Sequence, residues 1–380
     1  MSVLSKIQRN AADAIIRPLT LDDRDELEAL ISTDPVGFLY AAEHLNIFGL
    51  PAPSTLNALK TPRGFIGIFA PRHAATAEGS PKDAAPREPV VAGRLPRRVL
   101  NVLEATFART TETVGRAQGS HTEASLPGYA EAVSPENREP RYALVGALWL
   151  GANCVPLTIP AEYQRQVAQY VLRHHRRIGS IFGRREAVMG LWEYLVQRMP
   201  TPFDVREDQP LLELPEHVDL TELADRELHR PNLTAPQIAE KVRWARTSDR
   251  QSLLRASVAM FTEEVGYDPM TRDPAGYTRR IDDLTRSGRT LVAVNDEGVV
   301  VFKTDLGLAH GDACQLQGVW LHPAYRGQGL APTLLAQASE LIRTRFPQLS
   351  LYVNSYNTVA RALYQRTGWQ QTGTFSTILF

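Results

Sequence analysis

The run VWLHPAYRGQGLA, residues 319–331, begins as a strand, breaks at a glycine loop and restarts as a helix. Gly327 and Gly329 let the backbone turn tightly and meet a ligand with no Cβ in the way. The helix that follows offers unpaired N–H groups and the positive end of its dipole. Such an arrangement cradles an anion such as a pyrophosphate. The loop lacks the Gly-Lys-Ser/Thr of a Walker sequence and the spacing of the dinucleotide fingerprint. By itself it is also compatible with an ordinary glycine turn between a strand and a helix.

A second run lies a helix and a strand further on: Asn357-Thr-Val-Ala-Arg-Ala-Leu-Tyr-Gln-Arg-Thr-Gly-Trp369. Together the two resemble the GNAT superfamily, the GCN5-related N-acetyltransferases. Val319, Leu321, Pro323, Arg326, Gly327, Gly329 and Ala331 match the first motif of that family. Asn357, Ala360, Leu363, Tyr364, Gly368 and Trp369 match the second, in the same order and at a similar distance.

The resemblance implies acetyl-CoA as co-substrate, lying between two splayed parallel strands. It implies that the backbone of Val319 and Leu321 holds the pantetheine arm as an added strand would be held. The loop Arg326, Gly327, Gln328, Gly329, Leu330 and Ala331 then takes the pyrophosphate, and Asn357 contacts CoA. Tyr364 corresponds to the general acid that protonates the leaving thiolate. Two of these positions have a plainer reading. Tyr364 also fits a core aromatic on an amphipathic helix, and Asn357 stands where a helix N-cap is expected.

The general base is where the chain departs from its relatives. The positions that carry Glu in two branches of the family are Gln315 and Tyr352 here. Glu263, Glu264, Asp273 and His322 are candidate replacements. Relay through water, or an acceptor amine of low pKa, would also serve.

Composition sets outer limits. A chain of 380 residues suggests two domains, and 43% hydrophobic residues suffice for globular cores. Lys plus Arg equals Asp plus Glu at 42 each, so no broad basic face for nucleic acid or an anionic membrane is implied. Cys154 and Cys314 sit in apolar strand-like runs and read as core residues, with no disulfide framework or metal site. No signal-peptide core follows Lys6 and Arg9, and the longest apolar run, 142–159, contains Asn153 and Pro156. It reads as two buried strands instead of a membrane span. A cytoplasmic protein is expected.

The second half parses readily. Strands are expected at 242–245, 290–295, 299–305, 313–321 and 350–354, with two short strands closing the chain. Helices are expected at 249–264, 275–287, after the glycine loop, and from Asn357 to Gly368, a C′ glycine. The Asp296-Glu297-Gly298 turn joins a hairpin.

The first half repeats this order faintly. Strands are expected at 15–17, 64–70, 142–150, 154–159 and 178–182, and helices at 20–32, 36–50, 161–177 and 184–198. The turn after Thr158 reads Ile-Pro-Ala-Glu-Tyr, without glycine, so this half is not expected to bind CoA. An unrelated α/β cap is the alternative. Two stretches, 71–89 and 110–140, are poor in large apolar residues and read as flexible insertions.

The fold class expected is therefore α/β, with α+β character in a mixed sheet. It consists of two GNAT-like domains in tandem, each a mostly antiparallel sheet flanked by helices around a splayed parallel pair. Residues 1–200 form the degenerate domain, 201–214 a hinge and linking strand, and 215–380 the acetyl-CoA-binding domain. The expected activity is N-acetyl transfer to a primary amine by direct attack, the acceptor being a small molecule or a protein or peptide amine. A small-metabolite acyltransferase similar in plan to mycothiol synthase is one alternative. A non-catalytic acetyl-CoA sensor or scaffold is another. No nucleic-acid, membrane or metal partner is expected; the oligomeric state and the acceptor are left open.

Overall fold

The computed structural model describes residues 14–52, 64–71, 142–174, 178–228 and 241–380. The expected insertions at 71–89 and 110–140 lie outside these, apart from Pro71. Twelve strands join in one continuous sheet in the order β1-β2-β3-β4-β5-β12-β6-β11-β10-β9-β8-β7.

The first half supplies β1 (Ile15–Pro18), α1 (Arg24–Ser32), α2 (Leu39–Phe48), β2 (Gly64–Pro71), β3 (Tyr142–Leu150) and β4 (Asn153–Thr158). It continues with α3 (Gln164–His174), β5 (Ser180–Arg184), α4 (Arg185–Leu195) and β6 (Asp204–Leu214). Helix α5 (Leu220–Leu228) follows. The second half runs β7 (Arg243–Trp244), α6 (Arg250–Val265), α7 (Pro274–Arg286), β8 (Thr290–Val294), β9 (Val300–His310) and β10 (Ala313–Leu321). It ends with α8 (Leu330–Arg343), β11 (Gln348–Tyr352), α9 (Thr358–Arg366) and β12 (Gln370–Leu379). Leaving α5 aside, both halves have the order βααβββαβαβ among the described residues.

The strand order reads as a palindrome if each strand is exchanged for its counterpart in the other half. The centre is crossed over: β12, from the end of the chain, pairs with β5, and β6 pairs with β11. The two meet antiparallel, with Gln370 opposite Glu213 and Leu379 opposite Asp204. Residues 204–214, expected in a hinge and linking strand, are thus an eleven-residue strand in the middle of the sheet. The chain closes with one ten-residue strand where two short ones were expected. Gly373 falls at a register shift within it, and pairing with β6 resumes on both sides.

Helices cover both faces, as the apolar stripe of each element requires. In the first half α1 and α2 bury Leu27, Leu39 and Leu45 against Phe65 and Trp149, while α3 and α4 bury Val167 and Leu191 on the opposite face. In the second half α8 buries Leu334, Leu335 and Ile342 against the sheet, and α6 and α7 bury Leu253 and Ile281 with Trp320.

Helix α2 reaches across to the second half. Leu308 and Ala313, from β9 and β10, belong to the same core cluster as Leu39 and Tyr40. Within this contact Arg289 Nη2 donates to Glu43 Oε1 at 2.8 Å, with both side chains nearly fully buried. Cys154 and Cys314 are free and buried, as two core residues.

One small device appears in both halves. Arg17 grips Asp23 with both terminal nitrogens, and Asp23 also accepts from the Thr20 backbone N–H. Arg243 grips Asp249 in the same way, and Asp249 accepts from the Arg246 N–H. In each case a first-strand arginine fixes an aspartate six residues on, just before the first helix. Both aspartates have pKa values below the ordinary range. Burial alone would raise them, and the arginine and backbone hydrogen bonds more than offset it.

Candidate active site

Both halves contain a parallel pair that starts together and then parts. Strand β10 pairs with β11 only at residues 313–315. On its other side β11 pairs with β6 from Leu349 to Tyr352. The β11-facing edge of 316–321 is left open, which is the edge where Val319 and Leu321 stand. A bulge interrupts β10 between Gln317 and Trp320, where Gly318 takes φ 58°. Its positive φ is the conformation that favours glycine, and a Cβ there would press on the ends of the Met260 and Lys303 side chains.

The loop after β10 begins with a short 3-10 turn at Pro323–Tyr325, capped by His322, whose Nδ1 accepts from the Ala324 N–H. Gly327 and Gly329 follow with φ 75° and 76°, in the left-handed region that glycine tolerates best. Helix α8 then starts at Leu330. Among the described residues, the backbone N–H groups of Gly327, Gln328, Gly329, Leu330 and Ala331 find no acceptor. Five consecutive unpaired amides at a helix start are the donor set that a pyrophosphate requires. The loop residues therefore fit the phosphate end of CoA.

Arg326 is held away from the amides. Its Nε donates to Leu321 O at 2.9 Å and its Nη2 to Glu263 Oε2 at 2.7 Å. Gln328 folds back on Ala324 O. Asn357 does what an N-cap does: its Oδ1 accepts from the Ala360 N–H at 3.1 Å.

Tyr364 sits on α9 with its ring 6.1 Å from that of Trp369. It is nearly fully buried, and its hydroxyl makes no hydrogen bond among the described residues. Its pKa is raised, first by burial and then by the negative charge of Glu264. The phenol stays protonated at neutral pH, as a proton donor must. Tyr352, on β11, is pushed up to about 12 by burial, with the Glu264 charge adding to it.

The replacements for the missing base separate clearly. Asp273 caps α7, accepting from the Gly276 N–H. His322 caps the 3-10 turn. Glu263 is paired with Arg326 and receives the Trp320 Nε1–H at 3.4 Å. Gln315 is almost fully buried and accepts from Gln317 Nε2 at 3.3 Å. Glu264 alone of the four has no hydrogen bond or ion pair among the described residues. It is open to water, yet its pKa is raised by desolvation against the pull of Arg206 and Lys303. It stands near the end of α6, where the helix dipole also disfavours negative charge.

The first half lacks this machinery. Its parallel pair parts after Cys154–Ile181, and a cleft of about 590 Å³ opens there, lined by Leu157, Thr158, Gln164 and Thr374. The turn after β4 runs from a 3-10 helix at Ala161–Tyr163 straight into α3, with Gln164 in the right-handed helical region. No glycine loop intervenes. At the head of α4, where the second half has Asn357, stands Arg184. It spans the cleft to Asp34 with two 2.6 Å hydrogen bonds. A Cβ on Gly373 would fall on Arg184 Nη1, so β12 needs glycine where the arginine crosses.

Glu264 and Arg184 gain their meaning only in three dimensions. The repeated Arg/Asp device was visible as an Arg with an Asp six residues later in each half, a spacing too common to stand out alone.

Comparison with known proteins agrees with the geometry. The model of the acetyltransferase (GNAT) family matches residues 257–369, and a domain of unknown function, DUF4081, matches residues 137–233. Curated proteins give no match. Solved structures similar to the chain include a GCN5-related N-acetyltransferase from Sphaerobacter thermophilus. It is 12% identical, with 96% of this chain and 95% of that chain covered and a TM-score of 0.44. A tandem GNAT protein from the clavulanic acid biosynthesis pathway is 14% identical over 64% of this chain and 81% of its own, with a TM-score of 0.39. The ribosomal-protein-alanine N-acetyltransferase from Brucella melitensis is 21% identical over 37% of this chain and 100% of its own, with a TM-score of 0.30. Among the described residues no helix is long and apolar enough to cross a membrane. The glycine loop, the splayed pair and the match to the acetyltransferase (GNAT) family model thus fall on the same residues of the second half.

Proposed function

We propose that this protein is an N-acetyltransferase that uses acetyl-CoA and transfers the acetyl group directly to a primary amine. The observation that carries the reading is the row of five unpaired amides from Gly327 to Ala331, beside the open edge of β10. In this reading Val319 and Leu321 bond the pantetheine arm through their backbone, the loop amides hold the pyrophosphate, and Asn357 lies at the CoA side of α9. The bulge at Gly318 bends β10 where the thioester would lie. Tyr364 donates a proton to the sulfur as the C–S bond breaks, and holding the amine in line with the carbonyl supplies much of the acceleration. Acetyl-CoA supply puts the reaction in the cytoplasm, and the acceptor is a small-molecule or peptide amine.

The first half holds no CoA in this reading, because its turn has no glycine loop and Arg184 bridges its cleft. Its contribution is structural at the acceptor side: β6 borders β11, and Arg206 on β6 acts on Glu264. Thiol release from acetyl-CoA, measured with the full chain over a panel of amines, amino acids and peptide N-termini, tests the activity. Release with at least one amine, abolished in Gly329→Glu, is expected. Calorimetry showing undiminished CoA affinity in Gly329→Glu would place the phosphate elsewhere. Binding without turnover on any amine would favour a sensor.

A further inference from the structure

A pocket lies between the two halves, and both build it. Helix α2 contributes Leu39 and Tyr40, while β9 and β10 contribute Leu308, Gln315 and Gln317. Its walls are aromatic. Tyr40 meets Phe182 edge-on at 5.0 Å between ring centres, and Tyr352 meets Phe375 at 5.3 Å. The pocket reaches the place where the two parallel strands part. Gln317 and Tyr352 both line it, and each stands two residues past the last parallel pair, Gln315 with Ser350. The bulge glycine, Gly318, is the next residue of β10.

We infer that this pocket receives the far end of the acceptor amine, and that this end is short, uncharged and a carboxamide. The inference rests on the proposed transfer to an amine.

Hydrogen bonding, charge and size select that chemistry together. Asn153 of the first half and Gln315 of the second both line the pocket and are only 1% and 2% exposed. Asn153 Oδ1 accepts from Ser180 Oγ at 2.9 Å, and Gln315 Oε1 accepts from Gln317 Nε2 at 3.3 Å. The two amide nitrogens then have no acceptor among the described residues, yet neither is sealed from solvent. A buried N–H2 without an acceptor is costly, and a ligand carbonyl oxygen relieves it. Gln317 Oε1 accepts nothing among the described residues, and it is available to the N–H2 of a carboxamide. No charged side chain lines the pocket. Arg184, one residue past Gly183 of the lining, is committed to Asp34. A carboxylate or a second ammonium would therefore be buried without a counter-charge. The free space is about 30 Å³, room for about two waters or a group of a few heavy atoms. Gln315 takes no proton, unlike a glutamate at that position, but it can donate to such a group.

The test measures thiol release from acetyl-CoA with the full chain and four amines of one length. They are β-alaninamide, β-alanine, trimethylenediamine and butylamine, which end in an amide, a carboxylate, a cation and a methyl group. Per free amine, kcat/KM should be about tenfold or more higher for β-alaninamide than for the other three. Gln315→Leu should erase that preference, losing about tenfold on β-alaninamide relative to butylamine, with acetyl-CoA affinity kept. Leu39→Ala widens the pocket from the other half. It should raise kcat/KM for the bulkier N-isopropyl amide of β-alanine, a gain that misfolding cannot produce. Equal rates on all four amines, an unchanged preference in Gln315→Leu, or no gain in Leu39→Ala would overturn the pocket assignment and leave acetyl transfer standing. No turnover with these or with the wider panel of amines would overturn both.

Discussion

The two halves of this protein share one strand order and diverge at one turn. After β10 the chain spends four residues, Arg326 to Gly329, on a loop that ends in unpaired amides. After β4 it spends none, and the 3-10 turn merges into α3. The clefts differ accordingly. One has unpaired backbone donors at the start of α8, and the other is bridged by Arg184 and Asp34. One fold thus accommodates either turn, since sheet pairing and apolar burial are indifferent to that loop.

The largest effect is expected from cutting the halves apart. A fragment of residues 215–380 leaves β6 behind, and both β11 and β12 lose the strand that they share. It should not fold cooperatively by circular dichroism or calorimetry. A fragment of residues 201–380 keeps β6 but loses β5 and α2, exposing Arg289 and the apolar surface of Leu308 and Ala313 that α2 covers. A stable, active 215–380 fragment would show the central exchange to be dispensable.

Next comes Tyr364→Phe, which preserves the ring and removes the hydroxyl proposed as the proton donor. A loss of about 10²–10⁴-fold in kcat is expected, with little change in KM for acetyl-CoA. Wild-type turnover would make Tyr364 a core residue. The contact between the halves should matter to stability instead. Glu43→Gln removes the charge facing a buried guanidinium, and breaking such a pair costs about 3–5 kcal/mol. Denaturant unfolding should show that loss, and an unchanged midpoint would mean that α2 docks on apolar contact alone. In the degenerate cleft, Arg184→Ala should destabilise the fold yet leave acetyl-CoA affinity unchanged by calorimetry. A change in affinity would tie the first cleft to the second.

The smallest effect compares the repeated Arg/Asp device. Asp23→Asn and Asp249→Asn should each cost about 1–3 kcal/mol, as a buried donor loses its acceptor. Both carboxyls have lowered pKa values in the fold. Their stabilisation is therefore full above the unfolded carboxylate value and disappears as pH falls through the folded one. Unfolding curves taken downward from neutral pH should steepen in the acid range, and less so in either variant. Unequal costs would mean that the two halves no longer use the device alike.

Several things were legible in the sequence. Strands β3 and β10 begin and end where their apolar runs do, because long uninterrupted hydrophobic stretches leave little choice. The glycine loop and Gly368 were legible because positive φ has few alternatives to glycine. The order of elements in the first half was legible from periodicity, although β5 lies two residues later than expected, α2 starts three residues late and α4 ends three residues early. Asn357 left two readings open, and the structure shows its cap.

Tertiary structure alone decided the rest. That β6 and β12 cross over at the centre follows from strand pairing, which joins backbone groups without regard to residue type. Nothing in the composition of 204–214 distinguishes a linking strand from the middle of a sheet. Likewise Glu263 and Glu264 are neighbours with the same chemistry. One pairs with Arg326 and the other makes no hydrogen bond or ion pair among the described residues, because helical geometry sends adjacent residues to different faces. Local sequence fixes local conformation. The partner that each side chain meets is fixed by distant parts of the chain, and a single sequence does not record those meetings.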